Sequence, residues 1–323
     1  WATVLYFSVL VQKFYPLVIS GERPLRLIRP SLWTRIAAAL LFVFLGGTTL
    51  LSNVLYLTGL ADSIPLTISH RGVDNGNGVQ NTIPAMAATI KEKPDYIEMD
   101  VQETKDHQFV VFHDKNFRKL TGRDKTTHDL TLSEAQDLQA VENGHVAPIA
   151  SFDDYLAFAN EHQQKLLIEI KTNSSDSKEM VENFIEKYQQ NILTHHHRIH
   201  SLDYDVVTEL KEKAPKLYVS YVLPYNLVFP QTPANAYTME ETTLTGDFVQ
   251  RAHQEDKDVY AWTVNDADSM DRMISLNVNG IVTDDLKTLQ KQIKTYEESP
   301  SYAKRIEMYI NRLPALDERI SEN

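Results

Sequence analysis

Short strand-like runs alternate along the chain with longer, helix-length stretches. The runs are Leu66–Ser69, Tyr96–Val101, Phe109–Phe112, Leu166–Ile170, Arg198–Leu202, Leu217–Leu223, Val259–Val264 and Gly280–Thr283. Each is brief and rich in β-branched or aromatic residues, the composition of a buried strand. The stretches Ile83–Lys91, Phe152–His162, Ser177–Gln190 and Ala267–Leu276 lie between them. Such alternation predicts a parallel α/β sheet, and eight runs predict a TIM-type (β/α)8 barrel. Two places break the rhythm. Only Glu103–Gln108 separates the second and third runs, too few residues for a crossover helix, so a hairpin or an irregular barrel corner is expected there. Residues 115–150 show no strand period and are expected to form a small insertion over the barrel mouth.

The pattern upstream is of another kind. Residues 36–60 form 25 consecutive positions without a charge, more than the roughly 20 that a helix needs to cross a bilayer. Gly46, Gly47, Thr48 and Thr49 lower soluble helix propensity but are ordinary in lipid. A transmembrane helix is therefore expected ahead of the barrel. Lys13, Arg23, Arg26, Arg29 and Arg35 precede it against only Glu22, and the first charge after it is Asp62. The basic flank places the N-terminal side in the cytoplasm and the rest outside, at the cell membrane. Phe14–Pro30, with prolines at 16, 24 and 30, reads as an interfacial connector. The apolar opening Trp1–Val11 is expected of a piece that starts partway through a longer protein. The expected plan is thus 1–35, the end of a membrane region and connector; 36–60, the span; 61–292, the barrel with its insertion at 115–150; and 293–323, a charged helical tail.

Charge and composition narrow the chemistry. A formal net charge of −12 repels nucleic acid, so no nucleic-acid partner is expected. The chain has no cysteine, which excludes disulfides, thiolate metal sites and a thiol nucleophile. Any metal is left to oxygen or imidazole ligands.

In a β/α barrel the reactive groups sit at the C-terminal ends of the strands. Here those ends carry His70-Arg71-Gly72, then Glu98 and Asp100, then His113-Asp114, then Glu169 and Lys171. Residues two apart on a strand share a face, which pairs Glu98 with Asp100 and Glu169 with Lys171. Three carboxylates meeting at one mouth repel one another unless a cation neutralises them, and Ca²⁺ or Mg²⁺ suits oxygen ligands better than Zn²⁺ does. The competing reading is a buried salt-bridge network with Lys171 and Arg71. Those two cations suit an anionic substrate, Arg71 by gripping a phosphate through paired hydrogen bonds. His70 and His113 can serve as general base and general acid across a P–O bond.

These residues in this order resemble the glycerophosphodiester phosphodiesterase family: His70-Arg71-Gly72, Asn81-Thr82, Ile97–Gln102, Val110–Asp114 and Leu120-Thr121-Gly122, followed by Ile168–Lys171, Ala261–Asn265 and Gly280–Asp284. The likeness runs from about Leu66 to Lys291, and the apolar region ahead of it resembles the membrane-anchored Gram-positive branch. It implies a TIM barrel with one divalent cation held by Glu98, Asp100 and Glu169. His70 and His113 would be the acid/base pair, Arg71 and Lys171 would bind phosphate, and Trp262 would line the glycerol pocket. The implied products are sn-glycerol 3-phosphate and an alcohol, released from a small glycerophosphodiester or from a polyglycerolphosphate such as a teichoic acid. Gln80 departs from the Glu usual there, which puts the role of that Glu in doubt. The alternatives are phospholipase C/D-like cleavage of intact lipid and an inactive binding module. His195-His196-His197, with His200 nearby, are expected to form a solvated loop rather than a second metal site. Ser201 and Asp203 are expected to give supporting contacts only, and Asp284 to support either the floor or the mouth.

Overall fold

A computed structural model describes residues 32–57, 64–225 and 228–298. The chain divides into two compact units, 1–61 and 62–323. In the first, the helix α1 runs from Leu32 to Leu57. It overlaps the expected span, whose last residues, 58–60, lie outside those described. Among the described residues no helix is long and apolar enough to cross a membrane.

The second unit is a closed barrel of eight parallel strands. In chain order these are β1 (Leu66–Ser69), β2 (Tyr96–Glu103), β7 (Leu166–Ile170), β8 (Arg198–Ser201), β9 (Val219–Leu223), β10 (Ala236–Glu240), β11 (Asp258–Trp262) and β12 (Gly280–Thr283). Each pairs in parallel with the next, and β1 pairs with both β12 and β2 to close the ring. Helices α2 (Ile83–Thr89), α5 (Phe152–Glu161), α6 (Met180–Thr194), α7 (Tyr204–Lys213), α8 (Gly246–Gln254), α9 (Ala267–Ser275) and α10 (Leu286–Glu298) surround it. The expected charged tail is helical as far as Glu298, and its remainder lies outside the described residues.

Two expectations need correction. The run at 109–112 is not a barrel strand: β3 (Phe109–Val111) turns back antiparallel on the end of β2, across a connection too short for a crossover helix. The missing barrel strand is β10. It follows a loop carrying Pro224, Pro230 and Pro233 in place of a crossover helix, so the alternation gives no cue to it. The insertion holds two short helices, α3 (Arg118–Thr121) and α4 (Leu132–Gln136), and a hairpin of β4 (Gln139–Glu142) and β5 (His145–Pro148). Asn143-Gly144 makes its turn with positive φ at both residues, the type I′ geometry. The strand β6 (Ala150–Ser151) pairs with β3 and leads into α5.

Period-two alternation decides which side chains enter the barrel. On β2, Ile97, Met99 and Val101 pack outward with Ile168 and Ile170 of β7 and with Phe152, Tyr155 and Phe184 of the helices. Glu98 and Asp100 therefore face inward, as do Glu169 beside Ile168 and His200 beside the outward Ile199. The lower interior is filled by Ile68, Tyr96, Leu167, Ala236, Tyr260 and Val282 from six different strands. Gly280 is required there, because a Cβ would sit 2.9 Å from the Tyr260 ring.

Candidate active site

All eight residues singled out in the sequence line one cleft of about 150 Å³: His70, Arg71, Glu98, Asp100, His113, Glu169, Lys171 and Trp262. His200 lines it too, together with the apolar Leu202, Val222 and Val282.

His70 follows β1 directly. Its Nδ1 is 2.9 Å from Asp284 Oδ1, at the end of β12. Burial works to lower the His70 pKa, but the Asp284 hydrogen bond and the Glu98 charge overcome it and hold the imidazole above its ordinary value. Asp284 is fixed in turn by Asn265, whose Nδ2 donates to Oδ2 at 2.7 Å and whose Oδ1 accepts from the Asp284 amide at 2.8 Å. Asp284 thus belongs to the mouth and orients His70. His113 has a partner of the same kind, with Nδ1 2.8 Å from Asp114 Oδ1. Its loop is held by Gln102 Nε2, which donates to the carbonyls of Phe112 and Asp114. A carboxylate at Nδ1 sets the tautomer and leaves Nε2 for proton transfer.

Arg71 adopts a left-handed backbone, φ 51°, and its amide donates to Glu98 Oε2 at 2.8 Å. Gly72 follows at φ +68°, where a Cβ would meet Tyr155 Oη at 2.7 Å, so the Arg-Gly pair is dictated by backbone shape and by space. The Arg71 Nη1 donates to Gln80 Oε1 at 2.7 Å, and Gln80 Nε2 donates to Glu142 Oε1 at 2.6 Å. The carboxylate absent from position 80 is therefore supplied by the insertion hairpin, relayed through the Gln80 amide. Asn81, at φ 59°, clamps Asp100 by donating to Oδ2 at 2.7 Å and accepting from its amide at 3.1 Å.

Asp100, Glu169 and His200 stand side by side on β2, β7 and β8, since the register pairs Asp100 with Glu169 and Glu169 with His200. Lys171 Nζ donates to Glu169 Oε1 at 2.9 Å and lies 3.3 Å from Asp100 Oδ1. Burial lowers the Lys171 pKa, but Asp100 and Glu169 raise it further, keeping the ammonium charged. Burial and the neighbouring Asp100 push the Glu169 carboxyl up. Glu98 is also buried, which raises its pKa, yet His200, His70 and the Arg71 amide bring it below the usual carboxylate range.

One divalent cation fits this donor set. Ligand atoms of Glu98, Glu169 and His200 all lie within 4.8 Å of one another, and Asp100 Oδ1 is buried without a hydrogen bond. The tight group contains two of the three expected ligands, Glu98 and Glu169, and adds His200; Asp100 stands beside it, with Oδ2 held by Asn81 and Oδ1 3.3 Å from Lys171 Nζ. Outward Ile199 was the sequence signal that His200 faces inward. Of the other histidines, His195 and His196 are exposed as expected of a loop. His197 is buried at the barrel floor, accepting from the Leu166 amide at 2.9 Å and meeting Asn160 Oδ1 at 2.9 Å. Burial lowers its pKa to about 3. Ser201 donates to the Ile170 carbonyl at 2.7 Å, and Trp262 Nε1 donates to the Thr238 carbonyl at 3.2 Å. A second group, Glu103, His128 and Asp176, is paired in part: Ser177 donates twice to Glu103 at 2.6 Å, and His128 Nε2 lies 2.8 Å from Asp176 Oδ1 as an ion pair without hydrogen-bond geometry. It fastens the insertion to the loop after β7.

Comparison with known proteins agrees with this geometry. The Glycerophosphoryl diester phosphodiesterase family matches residues 70–288. A glycerophosphodiester phosphodiesterase of Caldanaerobacter subterraneus is 29% identical over 233 residues, covering 69% of this chain and 96% of that protein. Among solved structures, a glycerophosphodiester phosphodiesterase from Parabacteroides distasonis superposes with a TM-score of 0.62 at 24% identity, over 73% of this chain and 100% of that one. An Oleispira antarctica phosphodiesterase, solved with the product sn-glycerol-3-phosphate, gives 0.62 at 18% identity over 72% and 97%. With the family matched across more than half its length and the histidines, carboxylates and cations assembled in one barrel mouth, this chain belongs to the glycerophosphodiester phosphodiesterases.

Proposed function

We propose that the chain hydrolyses glycerophosphodiesters to sn-glycerol 3-phosphate and an alcohol with the help of one divalent cation. The observation that carries this reading is the single cleft shared by two carboxylate-anchored histidines, two cations and the acidic cluster. Glu98, Glu169 and His200, with Asp100 adjacent, would hold the cation, which when bound polarises the phosphodiester oxygens and offsets transition-state charge. Arg71 and Lys171 grip the same phosphate. One histidine Nε2 takes a proton from the attacking hydroxyl, either water or the glycerol's own, and the other gives a proton to the departing alcohol oxygen. If the glycerol hydroxyl attacks first, a cyclic phosphate forms, and water opens it in a second step.

A longer polyglycerolphosphate is supported by an open groove of about 880 Å³ that continues from His113 and Lys171 along Lys115, Arg118 and Lys119, with Asp114 and Asp124 also in its lining. A place at the outer face of the cell membrane rests on the uncharged run 36–60 and its basic N-terminal flank; within that run Leu40–Leu45, Leu50 and Leu51 are exposed apolar side chains, suited to contact with lipid. Hydrolysis of a panel of glycerophosphodiesters, with chelator and after metal add-back, tests the activity; full turnover in excess chelator removes the cation from the scheme. Protease added to intact cells should cut the barrel unit, and protection until lysis would reverse the orientation.

A further inference from the structure

We propose that His200 is a metal ligand, making the site a mixed carboxylate–imidazole centre that favours Mn²⁺, Co²⁺ or Zn²⁺ over Ca²⁺. The inference rests on the one-cation reading above and names which ion and which donors.

The first ground is an unmet demand. His200 is 3% exposed, and neither ring nitrogen has a hydrogen-bond partner. A buried polar group left unsatisfied is destabilising, so a ring in that position points to a ligand. The chain itself provides the contrast: buried His197 has both nitrogens satisfied by Leu166 and Asn160, as a purely structural imidazole should.

The second ground is placement. The β7–β8 register sets His200 beside Glu169, and its Nε2 is 3.6 Å from Glu98 Oε1. That is too long for a hydrogen bond but suits two donors sharing one ion, since ligand atoms each about 2.1 Å from a metal stand roughly 3–4 Å apart. Ligand atoms of all three residues gather within 4.8 Å of one another.

The preference follows from donor chemistry. Ca²⁺ and Mg²⁺ take oxygen ligands, whereas imidazole favours first-row transition ions. A rival role for His200, a positive counter-charge to Glu98, makes the opposite prediction. Removing a counter-charge would tighten cation binding, and removing a ligand would loosen it.

The test uses the full chain in detergent, stripped of metal by chelator and dialysed. Mn²⁺, Zn²⁺ and Ca²⁺ are titrated by calorimetry into wild type and His200→Gln, with circular dichroism confirming the fold of the variant. The expected result is a 10–100-fold weaker Kd for Mn²⁺ and Zn²⁺ in the variant, of the order seen when a metal's surroundings are disturbed, with Ca²⁺ changed less than about threefold. Electron spin-echo modulation of bound Mn²⁺ should show nitrogen coupling in wild type and none in the variant. Unchanged or tighter Mn²⁺ binding in the variant, or no nitrogen coupling in wild type, overturns the ligand role while leaving the cation reading intact. Absence of any divalent binding to wild type overturns both.

Discussion

Replacing Asp284 by Asn tests whether the His70 tautomer is set by its partner. The substitution keeps the size of the side chain and removes the charge that meets Nδ1 at 2.9 Å. A hydrogen bond to a charged group contributes about 1.5–3 kcal/mol. The Asp284 side chain is 42% exposed, and solvent screening places the loss at the low end, about 1.5–2 kcal/mol. If that orientation matters only in the transition state, kcat falls about 10–30-fold, because each 1.36 kcal/mol is tenfold in rate. Release of sn-glycerol 3-phosphate from glycerophosphocholine, followed through a coupled dehydrogenase, measures it. The pH dependence has a defined sign. The folded pKa of His70 is raised, so its contribution to stability is complete below the unfolded value of about 6.5 and is lost as pH rises through the folded value. The pKa of Asp284 is instead lowered: burial alone would raise it, but the His70 hydrogen bond outweighs that. Its contribution is present above an unfolded value of about 3.9 and is lost as pH falls through the folded one. The Tm gap between wild type and Asp284→Asn should therefore be widest between about pH 4 and 6.5 and narrow at alkaline pH. A kcat within twofold of wild type, or a gap that widens with pH, would refute the reasoning.

Three further outcomes are expected. His70→Ala and His113→Ala should each lower kcat by roughly 10²–10⁴-fold with cation binding retained, and the double variant should be little worse than the poorer single; stepped turnover measurements check this. Lys171→Ala removes the ammonium that pairs with buried Glu169 and with Asp100 Oδ1, so urea unfolding should show a loss of roughly 3 kcal/mol, the lower end for a broken buried pair, together with a raised KM. Glu142→Ala releases Gln80 and, through it, Arg71; at about 1 kcal/mol per hydrogen bond, KM should rise about fivefold while calorimetric cation binding stays unchanged.

Much of the site was legible in the sequence because a strand fixes side-chain parity locally. Glu98 and Asp100 alternate with Ile97, Met99 and Val101, so both carboxylates had to share the polar face whatever the neighbouring strands were. Likewise the short connection between β2 and β3 left no room for a crossover helix, so a hairpin or an irregular corner was expected, and the antiparallel pairing makes it a hairpin. Other features depended on residues far apart in the chain. Asp284 becomes the partner of His70 because β12 closes the ring against β1, joining positions 214 apart. Glu142 replaces a missing carboxylate because the insertion folds back over Gln80. β10 carries no helix before it and mixes Thr238 and Glu240 into a short run, so only its parallel pairing with β9 and β11 makes it a strand. His200 lies close in sequence to His195, His196 and His197, of which the first two are exposed and the third is buried. The registers of β7 and β8 separate it from them, because strand neighbours are set by pairing across the barrel, which local periodicity does not encode.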